Sequence, residues 1–241
     1  MRAGLVCLFL LIGTALQAAS CANISFEGLP YTTCEVAVGE DLRLFQSGPD
    51  GAYGSFAAID SALTPQGLML GFAMNAGMFH RDLAPVGLYI QDGVQSAPLI
   101  TNDGPGNFGL LPNGVFCVGD RFAVVESLTY AAVKPTCRFA SQSGPMLVIN
   151  GALHPKFLPN SDSLNIRNGV GVSADGLRAV FVISNAEVNF YNFARLFRDK
   201  LELPNALYFD GSISRLYAPQ LDRHDGGFPM GPIVGVVVQR G

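Results

Sequence analysis

The chain has no tryptophan and only three histidines, His80, His154 and His224. Charged residues fill 14% of its 241 positions, and no block of lysine and arginine occurs. At a formal net charge of −4, the basic stripe that nucleic acid requires is missing, so no nucleic-acid partner is expected. The usual nucleophile signatures, G-x-S-x-G and S-x-x-K, are absent too. So are H-E-x-x-H, a P-loop and a dinucleotide fingerprint. A hydrolase built from this chain has to work with carboxylates, amides, hydroxyls and arginine. It is expected to need no cofactor and no metal, although Asp210 with backbone oxygens could hold one.

Long apolar runs are also absent, except at the start. Met1-Arg2 precedes an apolar run from Leu5 to Leu16 and the small residues Ala18-Ala19-Ser20. A charged start, a short apolar core and small residues make a secretory signal peptide. The run is short for a membrane span, and no later segment reaches spanning length without Gly, Pro or charge. Cleavage is expected between Ala18 and Ala22. The reading is a signal peptide over 1–22, one domain over 23–241, and a periplasmic or secreted protein. Ala18-Ala19-Ser20-Cys21 also has the outline of a lipoprotein box, which makes a lipid anchor on Cys21 the alternative.

Cys7 leaves with the signal. Cys21, Cys34, Cys117 and Cys137 remain, an even number suited to an oxidising compartment. Of three possible pairings the local one is expected, Cys21–Cys34 with Cys117–Cys137. Each bridge would close a loop of about 15–20 residues, worth roughly 3 kcal/mol in the chain-entropy model.

Hydrophobic residues make up 49% of the chain, enough for one sizeable core. Apolar runs that read as strands flank Asp92-Gly93, Gly119-Asp120, Asn150-Gly151 and Asp175-Gly176, all hairpin signals. Phe56, Ile59, Ala62 and Leu63 recur at helical spacing. Phe190, Phe193, Ala194, Phe197 and Leu201 do so more clearly, with Ser184 or Asn185 as the cap. The prediction is an α+β single domain, with a mixed, mostly antiparallel sheet, hairpins and two main helices packed on it.

Three polar segments each adjoin an apolar run: Asn75-Ala76-Gly77, Gln142-Ser143-Gly144-Pro145 and Asp210-Gly211-Ser212. Gly with Asn, Ser or Asp at a strand end permits a sharp turn close to a ligand. With Arg167-Asn168-Gly169-Val170-Gly171, and in this order over roughly 70–238, the segments resemble the phosphodiester glycosidase family. The likeness is to its bacterial, secreted branch, which is similar also at Asn107-Phe108 and at Asn150-Gly151 with His154-Pro155. One departure stands out. The Gly-Gly-Gly of the animal-type turn is Gly-Ser-Ile here, which would narrow the pocket.

The resemblance implies a sugar-1-phosphodiester or phosphorylated glycan as substrate. Asp210 would serve as acid/base or orient the sugar. Arg167 would hold phosphate bidentately, the alternative being a surface or loop-bracing arginine. His154, whose ordinary pKa is near neutral, is a general acid or a loop histidine capping backbone groups. Asn75, Gln142, Ser143, Asn168 and Ser212 would bind substrate, with Gly77, Gly144 and Gly211 giving backbone approach. His80 and the carboxylates Asp82, Asp103, Asp162 and Glu187 stand in reserve, the carboxylates with a structural role as the alternative, and Tyr89, Tyr208 and Phe108 are the rings available to a sugar, with burial as theirs. The alternative is a non-catalytic glycan-binding or envelope-assembly protein on the same scaffold.

Overall fold

Three antiparallel sheets share one core, and a short helix backs each of them. The computed structural model describes residues 19–241, so the signal-peptide reading lies mostly outside the described residues. The largest sheet has seven strands, in the order 20–26, 29–37, 178–184, 168–172, 205–210, 146–149 and 152–153. A second runs 122–126, 114–118, 139–143, 89–91 and 94–97. The third runs 223–224, 216–218, 68–75, 233–239 and 42–45. Inward side chains of all three meet in the central cluster, among them Val36, Phe72, Phe116, Phe181 and Phe209.

The outer faces follow from strand alternation, because successive side chains point to opposite sides. Phe209 faces the shared core, while its neighbour Tyr208 faces the helix Phe190–Arg195. That helix carries the aromatic stripe and continues through the wider turn Leu196–Lys200. Its cap is Asn189, whose side chain accepts from Asn192 N–H at 2.9 Å, rather than Ser184 or Asn185. Those two end a strand and a turn upstream. Helix Phe56–Leu63 backs the third sheet, capped by Ser55.

A third helix, Ser127–Val133, backs the second sheet. The sequence pattern misses it, since only Ser127 and Tyr130 of its seven residues are buried. The expected hairpin at Asp92-Gly93 forms with both residues at positive φ, as Asn150-Gly151 also does. A hairpin at Glu27-Gly28 was not anticipated.

Both expected disulfides form. Cys21 lies directly opposite Cys34 in the first hairpin, and Cys117 joins Cys137 across 20 residues. The strand Ser20–Phe26 therefore belongs to the domain, three residues ahead of the boundary placed at 22/23. Its Cys21 sulfur is committed to Cys34, which leaves no thiol there for a lipid. No helix among the described residues is long and apolar enough to cross a membrane.

Replacing Cys117 and Cys137 together by alanine should lower unfolding free energy by about 3 kcal/mol. A urea melt that shifts by less than a third of that would show the bridge to be dispensable.

Candidate functional site

The polar segments expected to converge do so, at one end of the strands Leu68–Asn75, Asn168–Val172 and Asn205–Asp210. What gathers them is a knot of hydrogen bonds between Asn75 and Asn168, both fully buried. Asn75 Oδ1 accepts from Arg215 N–H at 2.9 Å, and Asn168 Oδ1 accepts from Asp210 N–H at 3.1 Å. Those backbone donors fix which side of each amide is oxygen. Each Nδ2 then donates to the other residue's Oδ1, at 3.2 and 3.1 Å. Asn168 Nδ2 also reaches Asn75 O at 2.8 Å. The two amides are spent on bracing the largest sheet to the third, instead of being offered to a sugar.

The other predicted binders divide in the same way. Ser143 Oγ donates to Phe209 O at 3.0 Å, holding the strand that ends in Asp210. Gln142 Oε1 accepts from Leu88 and Ile100 N–H, and its Nε2 donates to Ser127 Oγ. It braces three segments and has no group left for substrate. A Cβ on Gly144 would fall 2.6 Å from Asn113 Cβ, and one on Gly77 would fall 2.8 Å from Ser141 Oγ. Packing accounts for both glycines. Tyr89 and Phe108 are core residues. His80, Asp82, Asp103, Asp162 and Glu187 lie on exposed loops.

Asp210 keeps a free edge. Its Oδ1 accepts from Gly211 N–H at 2.6 Å and from Ser212 N–H at 2.8 Å. Ser214 Oγ closes the same turn by donating to Asp210 O at 2.8 Å. Oδ2 has no protein partner and is not a buried orphan, so solvent reaches it. Burial of the carboxyl raises its pKa, outweighing the backbone N–H groups of Ser212 and Gly211 that lower it.

Tyr208, two residues back on the same face, extends its hydroxyl under this turn. A Cβ at Gly211 would lie 2.1 Å from Tyr208 Oη, so only glycine fits there. The hydroxyl in turn accepts from Arg167 Nη1 at 3.3 Å. The sequence offers Tyr208 as a buried ring or a sugar-stacking one, and it is buried; the i, i+2 spacing to Asp210 was the available signal for its place under the turn.

Arg167 is fully buried, and this revises the expected phosphate clamp. Nε donates to Val188 O and Nη2 to Ser163 O, each at 2.8 Å. The guanidinium carbon sits 3.7 Å above the Phe190 ring. No bidentate edge remains for a phosphate. Yet every acceptor is a carbonyl or a hydroxyl. Among the described residues no carboxylate forms an ion pair with Arg167. Burial pushes its pKa down and Tyr208 pushes it back, but arginine stays charged in proteins.

His154 is also withdrawn from the turn. Its ring stacks on Phe157 at 4.7 Å, and Phe157 stacks on Phe190 at 5.0 Å, so it ends an aromatic column behind Arg167. Nδ1 accepts from Lys156 N–H at 3.3 Å, Nε2 is a buried orphan, and burial lowers the pKa. The column places two aromatic rings between His154 and the guanidinium. His154 was predicted as a general acid because a loop histidine titrates near neutrality; burial removes that premise. Among the described residues no cluster of three or more His, Cys, Asp or Glu is arranged to hold a metal ion.

The site thus combines a half-buried carboxyl of raised pKa with a buried cation that has no carboxylate partner, Tyr208 lying between the two. Comparison with known proteins narrows the class. Residues 70–235 match the phosphodiester glycosidase family model, well over half of the chain, and the chain belongs to that family. It is 40% identical over 180 residues to uncharacterized protein YigE of Escherichia coli K12, covering 74% of this chain and 70% of that one. The fold resembles the catalytic domain of zebrafish N-acetylglucosamine-1-phosphodiester α-N-acetylglucosaminidase, auto-inhibited by its pro-peptide. That likeness has a TM-score of 0.61 at 13% identity and covers 90% of this chain and 81% of that one.

The knot predicts a stability cost. Asn75→Ala strands Arg215 N–H and Asn168→Ala strands Asp210 N–H, each worth about 1–3 kcal/mol. The double variant should lose less than the sum, because both break one network; additive losses in urea would refute the coupling. Asp210 predicts the reverse sign. The folded state holds its proton more tightly than the unfolded chain does. Wild-type stability should therefore fall as pH rises from the unfolded carboxyl range, near about 3.9, through the raised folded value. Asp210→Asn should melt above wild type near neutral pH, and the gap should close in acid. A gap that persists below about pH 3 would rule out ionisation as its cause.

Proposed function

We propose that this protein hydrolyses a sugar-1-phosphodiester in an oxidising, extracytoplasmic compartment. The observation that supports this most directly is Arg167, a buried guanidinium without a counter-ion, joined through the Tyr208 hydroxyl to the turn that carries Asp210. A buried cation is costly unless an anion compensates it. A phosphodiester brought to the Asp210 turn supplies that anion. Attraction through Tyr208 replaces direct clamping, since the guanidinium edges are already taken. The phosphate leaves well once its charge is held, so positioning and electrostatic stabilisation do most of the work.

In this reading Asp210 Oδ2 takes the proton of the attacking water. Water adds across the bond between sugar and phosphate, giving a free sugar and a phosphomonoester. Asn75, Asn168 and Ser143 act as positioning residues that fix the backbone of the Asp210 turn. His154 supports the Phe157–Phe190 face on which Arg167 lies. Two disulfides fit the proposed compartment, and a signal peptide ahead of Ser20 would deliver the chain there intact.

Purified protein should release reducing sugar from at least one member of a panel of sugar-1-phosphodiesters. Asp210→Asn should slow that release by roughly 10²–10⁴-fold. Hydrolysis in oxygen-18 water assigns the bond broken: label in the sugar marks C–O cleavage, label in the phosphate P–O cleavage. Equal rates in both proteins would remove Asp210 from the reaction. No release by either would favour a glycan-binding protein on the same scaffold.

A further inference from the structure

A cavity of about 350 Å³ opens between the start of helix Phe56–Leu63 and the chain from Arg215 to Met230. Its walls are mainly apolar and aromatic: Phe56, Tyr217, His224 and Met230 contribute. Tyr217 lies 6.0 Å from the Phe56 ring, and the His224 ring meets it edge-on at 4.9 Å. Phe228, whose chain segment wraps the Arg215 guanidinium, is 79% exposed.

The charges of this cavity do not cancel. Asp60 is paired with Arg240 at 3.1 Å, and Asp225 with Arg223 at 2.9 Å. Arg215 has no such partner among the described residues. Its Nη1 donates to the carbonyl of Phe228. A Cβ on Gly227 would meet its Nη2 at 2.5 Å, so glycine there lets the loop wrap the guanidinium. The cavity therefore presents one uncompensated cation among aromatic walls.

Its position relates it to the reaction. Arg215 N–H is held by Asn75 Oδ1, and Ser214, just before it, closes the Asp210 turn. The next residue, Leu216, enters the third sheet opposite Met74. We infer that this cavity binds the non-sugar side of the diester: a phosphate-linked group with a flat ring, its phosphate drawn by Arg215 and its ring packed against Tyr217, with Phe228 closing over it. The inference rests on the hydrolase reading for its place in the reaction, but the cavity can be tested without turnover. Guanidinium recognition of phosphate and stacking of rings on aromatic side chains are the interactions invoked.

Calorimetry with p-nitrophenyl phosphate and methyl phosphate as probes separates the two contributions. Wild type should bind the aryl ester about tenfold more tightly than the methyl ester, a difference of about 1.4 kcal/mol. Phe228→Ala, which removes an exposed ring and leaves the core untouched, should erase most of that preference. Arg215→Gln should weaken both esters, and Arg215→Lys should restore part of the loss. If a diester is turned over, the ratio of kcat/KM for its p-nitrophenyl and methyl forms should fall about tenfold in Phe228→Ala. Equal affinity for the two esters, no binding at millimolar concentration, or indifference to both Phe228→Ala and Arg215→Gln would overturn the assignment. If no diester is turned over, the hydrolase reading fails, and the calorimetry still decides the cavity.

Discussion

Two buried amides hold this site together. Asn75 ends a strand of one sheet and Asn168 begins a strand of another, and each amide satisfies both its partner and a backbone N–H across the junction. Buried as these amides are, such a knot is stable only if nearly every donor and acceptor is matched. The consequence reaches the Asp210 turn. Asp210 N–H, Arg215 N–H and, through Ser214, the carbonyl of Asp210 are all fixed by it. The rigidity that positions the open oxygen of Asp210 thus comes from residues that face no ligand.

The second constraint is electrostatic. Arg167 is surrounded by carbonyls, a hydroxyl and a phenyl face. These neutral groups satisfy its hydrogen bonds without cancelling its charge. A carboxylate partner would have made the same guanidinium a closed structural pair. Leaving it without one keeps the charge uncancelled behind Tyr208, whose hydroxyl accepts from Nη1. The His154–Phe157–Phe190 column secures the apolar side of the same cation.

Much of the fold was legible because its signals are local. Asp92-Gly93 and Asn150-Gly151 adopt the left-handed backbone that such pairs favour, and the Phe190–Phe197 stripe packs on the sheet as its spacing requires. The helix Ser127–Val133 was not legible, since seven residues with two buried positions give no periodicity. Nor was the cap at Asn189. Its side chain also ties down Pro159 and Ser161, and that tertiary role does not show in the local pattern. At the site, residue types pointed to segments that do meet in space, but not to what most of their side chains bond. Asn75, Gln142 and Ser143 read as substrate ligands because polar side chains at strand ends often are. Here they are buried and consumed by bracing.

By itself, then, the sequence determined the α+β class, the hairpins, the local cystine pairing and the family, because turn chemistry, apolar spacing, short cysteine separations and ordered motifs are properties of neighbouring residues. Only the tertiary structure decided that the domain has three sheets around one core, that Arg167 lies behind Tyr208 instead of at the surface, and that Asp210 and the exposed Ser212 keep open oxygens while Asn75, Gln142, Ser143 and Asn168 are consumed by bracing. Those outcomes depend on which distant groups meet and on which of them water still reaches, and neither is written in the order of residues along the chain.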